Sequence, residues 1–156
     1  MRSIDLALII GLGVLACPGL ADVVINEMEM NPRDNATMWA ELYNTDDMAA
    51  DVSGWTVTIT DSSWLGPMTV PTDTTISGHG YLVMYGERTW PHLESGFVVL
   101  YDSDGNKVDE TPSRSDLLGN DLTWGRYPDG RDTDTSGDWG YMMATMGVPN
   151  TLGRQG

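Results

Sequence analysis

Residues 38–59 read MWAELYNTDDMAADVSGWTVTI, and the periodicity inside them decides the fold. Trp55, Val57 and Ile59 alternate with Thr56, Thr58 and Thr60. A period of two puts the apolar set on one face and the threonine row on the other, which predicts a half-buried strand. β-Branched threonines suit the solvent side of a sheet, and Trp55 brings the largest single piece of core. Upstream, Met38, Ala40 and Leu42 share one parity while Trp39, Glu41 and Tyr43 share the other. Between the two runs, Asn44–Asp51 is an acidic turn region.

Working outward, Asp22–Met30 reads as an earlier strand whose broken alternation predicts a bend or a change of sheet near Asn26. Asn31–Asn35 is a turn cluster. On the other side, Asp61–Thr75 reads as an irregular connection with one short edge strand at Met68–Val70, because Pro67 and Pro71 bar a central strand. Tyr81–Tyr85 and Gly96–Asp102 are short continuous apolar runs of strand type. Asp102-Ser103-Asp104-Gly105-Asn106 has hairpin-turn chemistry, with Lys107–Glu110 as the return strand. Thr111–Asn120 reads as loop, Leu122–Tyr127 as a last strand, Pro128–Asp138 as an acidic loop, and Trp139–Gly147 as a return to apolar character. No helix period is sustained over three turns. Short strands separated by turn signals predict an all-β, antiparallel sandwich or barrel.

At 156 residues the chain predicts one domain, large enough to fold without a disulfide, and Cys17 is its only cysteine. The net charge of −15 and the scattered arginines exclude a nucleic-acid-binding surface, which needs a segregated basic patch. Lys107 is the only lysine, so the acid excess reads as a chain-wide solubility bias more than as a cation site. Residues 1–21 have the pattern of an export signal: Arg2, then an apolar run over Leu6–Ala16, then small residues. Eleven apolar residues are too few to span a membrane, which needs about twenty. Cleavage before Asp22 is the favoured reading, with a lipid anchor on Cys17 in Val14-Leu15-Ala16-Cys17 as the lesser one. Both place the mature chain outside the cell or in its envelope. Asn35-Ala36-Thr37 is a glycosylation sequon of a kind common by chance.

The chain resembles the lamin-tail domain, the immunoglobulin-like module of nuclear lamins that also occurs in exported bacterial and archaeal proteins. Its motifs come in family order: Val24-Ile25-Asn26-Glu27 with Asn31-Pro32, Trp39-Ala40-Glu41-Leu42-Tyr43-Asn44, and Val52-Ser53-Gly54-Trp55. Gly80-Tyr81-Leu82-Val83 and Leu100-Tyr101-Asp102 follow, then Gly125-Arg126-Tyr127-Pro128-Asp129-Gly130, Trp139 and Ala144–Asn150. The resemblance implies an immunoglobulin-like antiparallel β-sandwich over residues 22–150, with 151–156 as a tail. It implies use in binding or display toward a protein or a cell-surface glycan, and it carries over no catalytic residue.

The residues themselves add little chemistry. His79 and His92 sit in loops outside any nucleophile motif, and a chain with two histidines and no cysteine beyond the leader cannot build a usual zinc site. No acid pair stands out for hydrolysis. Calcium, which wants six to eight oxygens, has two candidate places. Asp102, Asp104, Asn106 and Asp109 are explained as well by the hairpin. Asp129, Asp132, Asp134 and Asp138 form the better candidate, a loop long enough to wrap a cation, with a solvated acidic loop as the plain alternative. Of the six tryptophans, Trp39 and Trp55 belong to strands, and Trp124 and Trp139 to family-pattern segments. Trp64 and Trp90 lie in loops and are the candidates for stacking on a sugar or anchoring a partner. The expected function is a non-catalytic binding or envelope module. The alternatives are a carbohydrate-binding module and a hydrolase accessory with a weak calcium site.

Overall fold

The computed structural model describes residues 22–153. The expected leader, Cys17 and the last residues of the tail lie outside them, and so does the side chain of Asn35 in the sequon. The strands run in order as β1 (Val23–Glu29), β2 (Trp39–Asn44), β3 (Ala50–Asp51), β4 (Thr56–Thr60), β5 (Leu65–Thr69) and β6 (Thr75–Ile76). They continue as β7 (Tyr81–Tyr85), β8 (Ser95–Tyr101), β9 (Lys107–Glu110), β10 (Arg114–Ser115), β11 (Leu122–Arg126) and β12 (Trp139–Met143). Sheet one has the order β12-β11-β1-β2-β7 and sheet two the order β10-β8-β4-β5, with β9 also on β8. Strands pair antiparallel throughout both, giving an immunoglobulin-like sandwich.

The alternation in residues 55–60 does what its period predicts as far as Ile59, whereas Thr60 is buried and donates its hydroxyl to the Asp61 and Trp64 carbonyls. Val57 and Ile59 face the core and are fully buried, while Thr56 and Thr58 are half-buried on the other face. Each buried aliphatic of this size contributes about 1.5–3 kcal/mol relative to exposure. The continuous apolar run of β8 reflects its position between β4 and β9, with Val98, Val99 and Leu100 all buried. The break expected near Asn26 is a β-bulge between Ile25 and Glu27, and β1 stays in one sheet. The connection after β4 is more regular than its prolines suggest. The strand β5 begins at Leu65 rather than Met68, with Pro67 opposite Thr58 on an edge strand, where a missing N–H is tolerated. Stretches read as turn, connection or loop also pair, Ala50 with Ile76, Asp51 with Thr75, and Arg114 and Ser115 with Gly96 and Ser95.

One feature follows from no local pattern. The outer face of sheet one, bearing Glu27, Glu41 and Trp39, is buried beneath the chain after β12, which crosses it as a strap. Gly125 and Gly140 lie opposite each other and make the trough it occupies. A β-carbon on Gly140 would come 2.6 Å from Leu152, and one on Gly125 2.8 Å from the Asn150 amide nitrogen. The strap has no strand neighbour, so carboxylates take its backbone N–H groups. Thr145 N–H donates to Glu27 at 3.0 Å, Gly147 N–H to Glu41 at 2.6 Å, and Asn150 N–H to Asp129 at 2.9 Å.

Collecting acids under the strap perturbs their protonation. Burial pushes Glu41 up to about 7, against its hydrogen bonds from Gly147 and Asn26. Burial also raises Glu27, and burial together with a hydrogen bond to Asp116 raises Glu29. An acid raised in the folded state binds more protons folded than unfolded, so its contribution falls as pH climbs from the ordinary carboxylate range. Asp51, Asp61 and Asp102 are lowered by hydrogen bonds and lose their contribution only in stronger acid. The thermal midpoint is therefore expected to be several degrees higher at pH 5 than at pH 8. Glu41→Gln should flatten that profile. A midpoint rising steadily from pH 5 to pH 8 would contradict the assignment.

Candidate functional site

The most developed concavity lies at one end of the sandwich, where β1 and β11 part. Their pairing covers only Glu27 with Gly125 and Met28 with Trp124, and the chain leaves the sheet after Arg126. Ile25 then has a backbone edge without a strand. Arg126 and Asp109 fill its place. Ile25 N–H donates to Asp109 at 2.7 Å, and Arg126 Nε donates to the Ile25 carbonyl at 2.7 Å. Arg126 Nη2 pairs with Asp109 at 2.9 Å, while Nη1 donates to Asp132 at 2.9 Å and to the Arg131 carbonyl at 2.7 Å. The guanidinium also lies 4.9 Å from the Trp139 ring centroid. It is the largest fully buried side chain among the described residues.

Beside this bridge two cavities adjoin, sharing Lys107, Val108 and Asp132. The larger, of about 610 Å³, is walled by the start of β1, Trp55 and the β8–β9 hairpin. The smaller, of about 420 Å³, runs along β9 toward Trp139. Together they form a trough with an apolar wall at Val23, Trp55 and the exposed Val108. Its charges are unequal. Arg126 is matched by Asp109 and Asp132, and Lys107 by Glu110 at 3.2 Å. Asp22, Asp102 and Asp134 also line it, and no cation among the described residues pairs with them. The trough is thus net acidic, with an apolar floor.

The four acids of the calcium expectation separate. Asp129 turns to the outer face of sheet one, accepting from Tyr81 Oη at 2.6 Å and from Asn26 at 3.2 Å. Asp132 joins the arginine bridge, and Asp138 is buried against Arg131 at 2.9 Å and the Thr133 hydroxyl. Asp134 faces solvent at the trough without an ion pair among the described residues. No group of three or more histidine, cysteine or acidic side chains is placed to hold a metal among the described residues. In the hairpin, Asp102 accepts from the N–H groups of Asp104 and Asn106, and Gly105 takes φ 83°.

Trp64 and Trp90 come together, but as a plug. Their rings pack edge to face with centroids 5.1 Å apart, half-buried against the core. They fill space above Gly66 of β5 and Gly86 after β7, where a β-carbon would come within 2.6 Å and 2.5 Å of Trp90. These strands are the edges of the two sheets on one side, so the pair closes the sandwich there. Of the groups that shape the trough, Arg126 was visible in sequence only as a family-motif member, Lys107 as the one lysine, and Asp109 as one of the hairpin's calcium candidates. Nothing local marks an arginine that will bond to a carbonyl 101 positions away.

Architecture and trough together define an immunoglobulin-like module of the binding or structural kind. The lamin tail domain model matches residues 18–114, well over half of the chain, and the protein belongs to that family. The match stops short of β11, yet β11 pairs with β1 and completes sheet one. No curated protein matches the chain.

Proposed function

We propose that this protein is an exported, non-catalytic lamin-tail module whose end trough receives a positively charged, extended segment of a protein partner in the cell envelope. The observation that carries the reading is the trough's imbalance: Asp102 and Asp134 without a cation, and Asp22 offset only by its own α-ammonium after cleavage, beside the apolar wall of Trp55 and Val108. Such a surface attracts basic segments by charge and gives their aliphatic stems somewhere to pack. The export half rests on the residue pattern of positions 1–21. It is tested by sequencing the N-terminus of the protein recovered outside the cytoplasm, expected to begin at Asp22.

Binding is tested by calorimetry with lysine- and arginine-rich peptides against acidic peptides of equal length. The basic set should bind with an affinity that falls as salt rises, and combined Asp22→Asn, Asp102→Asn and Asp134→Asn should weaken it at least tenfold. Equal binding of both peptide sets would sink the charge argument. Retention on envelope polysaccharide, lost with Trp64→Ala and Trp90→Ala, would favour a glycan partner. Competition by millimolar calcium would reassign the free acids to a cation.

A further inference from the structure

The edges of the sheets determine what else can pair with this molecule. Sheet one ends in β7 on one side and β12 on the other. Natural edge strands are usually guarded by proline, charge or a bulge. Pro67 guards β5, one edge of sheet two. By contrast β7 reads Tyr81-Leu82-Val83-Met84-Tyr85, uncharged, without proline or glycine, half-buried through Met84 and exposed at Tyr85. Asn44 N–H to the Gly80 carbonyl and Gly86 N–H to the Met38 carbonyl fix which residues bond inward. With that register Leu82 and Met84 bond to β2, and the backbone groups of Tyr81, Val83 and Tyr85 point away from the sheet.

This edge is nearly its own complement. A two-fold axis through Val83 sets Tyr81 against Tyr85 and Leu82 against Met84 of a second copy, and offers roughly six interchain backbone hydrogen bonds. The flanks match in charge as well. The same antiparallel pairing brings the turn that leads into one β7, at Gly78-His79, beside the turn that follows β7 in the other copy, where Trp90 N–H closes on the Glu87 carbonyl around Arg88. Gly78 is packed on the acidic turn Asp46-Asp47: a β-carbon there would overlap the Asp47 carbonyl and sit 3.0 Å from that of Asp46. His79 lies 2.8 Å from Asp47. Arg88 of each copy would therefore arrive at an acidic turn of the other, twice by symmetry. The strand β12 has no such match, since it contains Gly140 and follows the acidic stretch Asp132–Asp138 with no cation after it before Arg154.

We propose that β7 is the docking edge for a second copy of this chain, giving a two-fold dimer in which sheet one runs on through both copies about Val83. The net charge of −15 per copy opposes association and keeps the dimer weak. Sedimentation equilibrium from micromolar to near-millimolar protein should show the mass rise from one chain to two. Val83→Pro removes an outward N–H and no bond to β2, so it should stay monomeric with its fold retained. Val83→Lys, which brings two ammonium groups together at the axis, should do the same if the proline variant folds poorly. In a Cys17→Ser background, Val83→Cys should oxidise to a covalent dimer, since directly opposed residues lie about 5.5 Å apart, within disulfide reach. Leu82→Cys should not. A wild-type mass that stays at one chain, dimerisation undisturbed by both substitutions, or growth beyond two chains would overturn the proposal.

Discussion

Replacing Arg126 by alanine is expected to cost about 3–5 kcal/mol, the usual result of breaking a buried ion pair from one side. Such a loss corresponds to a fall of roughly 10–20 °C in the thermal midpoint. Five groups lose their partner at once, among them Asp132 and the Arg131 carbonyl. Asp109 is left as a buried charge, the Ile25 carbonyl loses its only strand substitute, and the space above Trp139 empties. Arg126→Met keeps most of the volume and isolates the electrostatic part. Combining it with Asp109→Asn should cost less than the two single changes added together, because the second removes the charge the first has stranded. Additive losses, or a loss below about 1 kcal/mol for Arg126→Ala, would mean that water replaces the guanidinium at little cost. Because Arg126 and Asp132 also wall the trough, binding is best measured on the methionine variant, well below its midpoint.

The second large effect is expected at Asn150. Its side-chain amide donates to the Asn26 carbonyl at 3.2 Å and to the Arg126 carbonyl at 2.9 Å, and its oxygen accepts from the Thr145 hydroxyl. It is the knot between strap, bulge and arginine bridge. Asn150→Ala leaves two buried carbonyls without donors and should cost about 1–3 kcal/mol. The loss should be local before it is global. Hydrogen exchange at the Thr145 and Gly147 amides should speed up while core amides of β4 and β8 stay protected. Asn150→Asp places another acid beside Asp129, Glu27 and Glu41, and should be worse at pH 8 than at pH 5. Equal acceleration at all amides would show that the strap has no independent opening.

Lamin-tail membership and the trough lead to the same general conclusion about function, from overlapping sets of residues. The family match rests on the first strands and the hairpin, whereas the trough also needs the bridge from Arg126 and the loop carrying Asp132 and Asp134. The proposed binding surface is therefore assembled partly by residues beyond the matched segment. Its partner can differ from that of other modules with the same sandwich.

The amino-acid order alone determined the fold class and the longer strands, but not β3, β6 and β10, nor the start of β5. A period of two in residues 55–60, an apolar run at 96–101 and the Asp-Gly turn between β8 and β9 are local signals, each read within a few residues. The bulge at Asn26 also announced itself, as a break in alternation. Only the tertiary structure decided which faces are covered and which polar groups meet. Period says that Glu41 and Met38 point in opposite directions, but not that a strap more than 100 positions later will bury the Glu41 side. The same holds for Trp64 and Trp90, which read as loop aromatics and become a plug because two edge strands end beside each other. It holds again for Asp129, Asp132 and Asp138, which sit close in sequence yet serve three separate networks. The physical reason is common to all of them. Strand identity is set by backbone preference and side-chain parity, which are short-range, whereas burial of a charge requires partners that only the folded topology brings within hydrogen-bond distance.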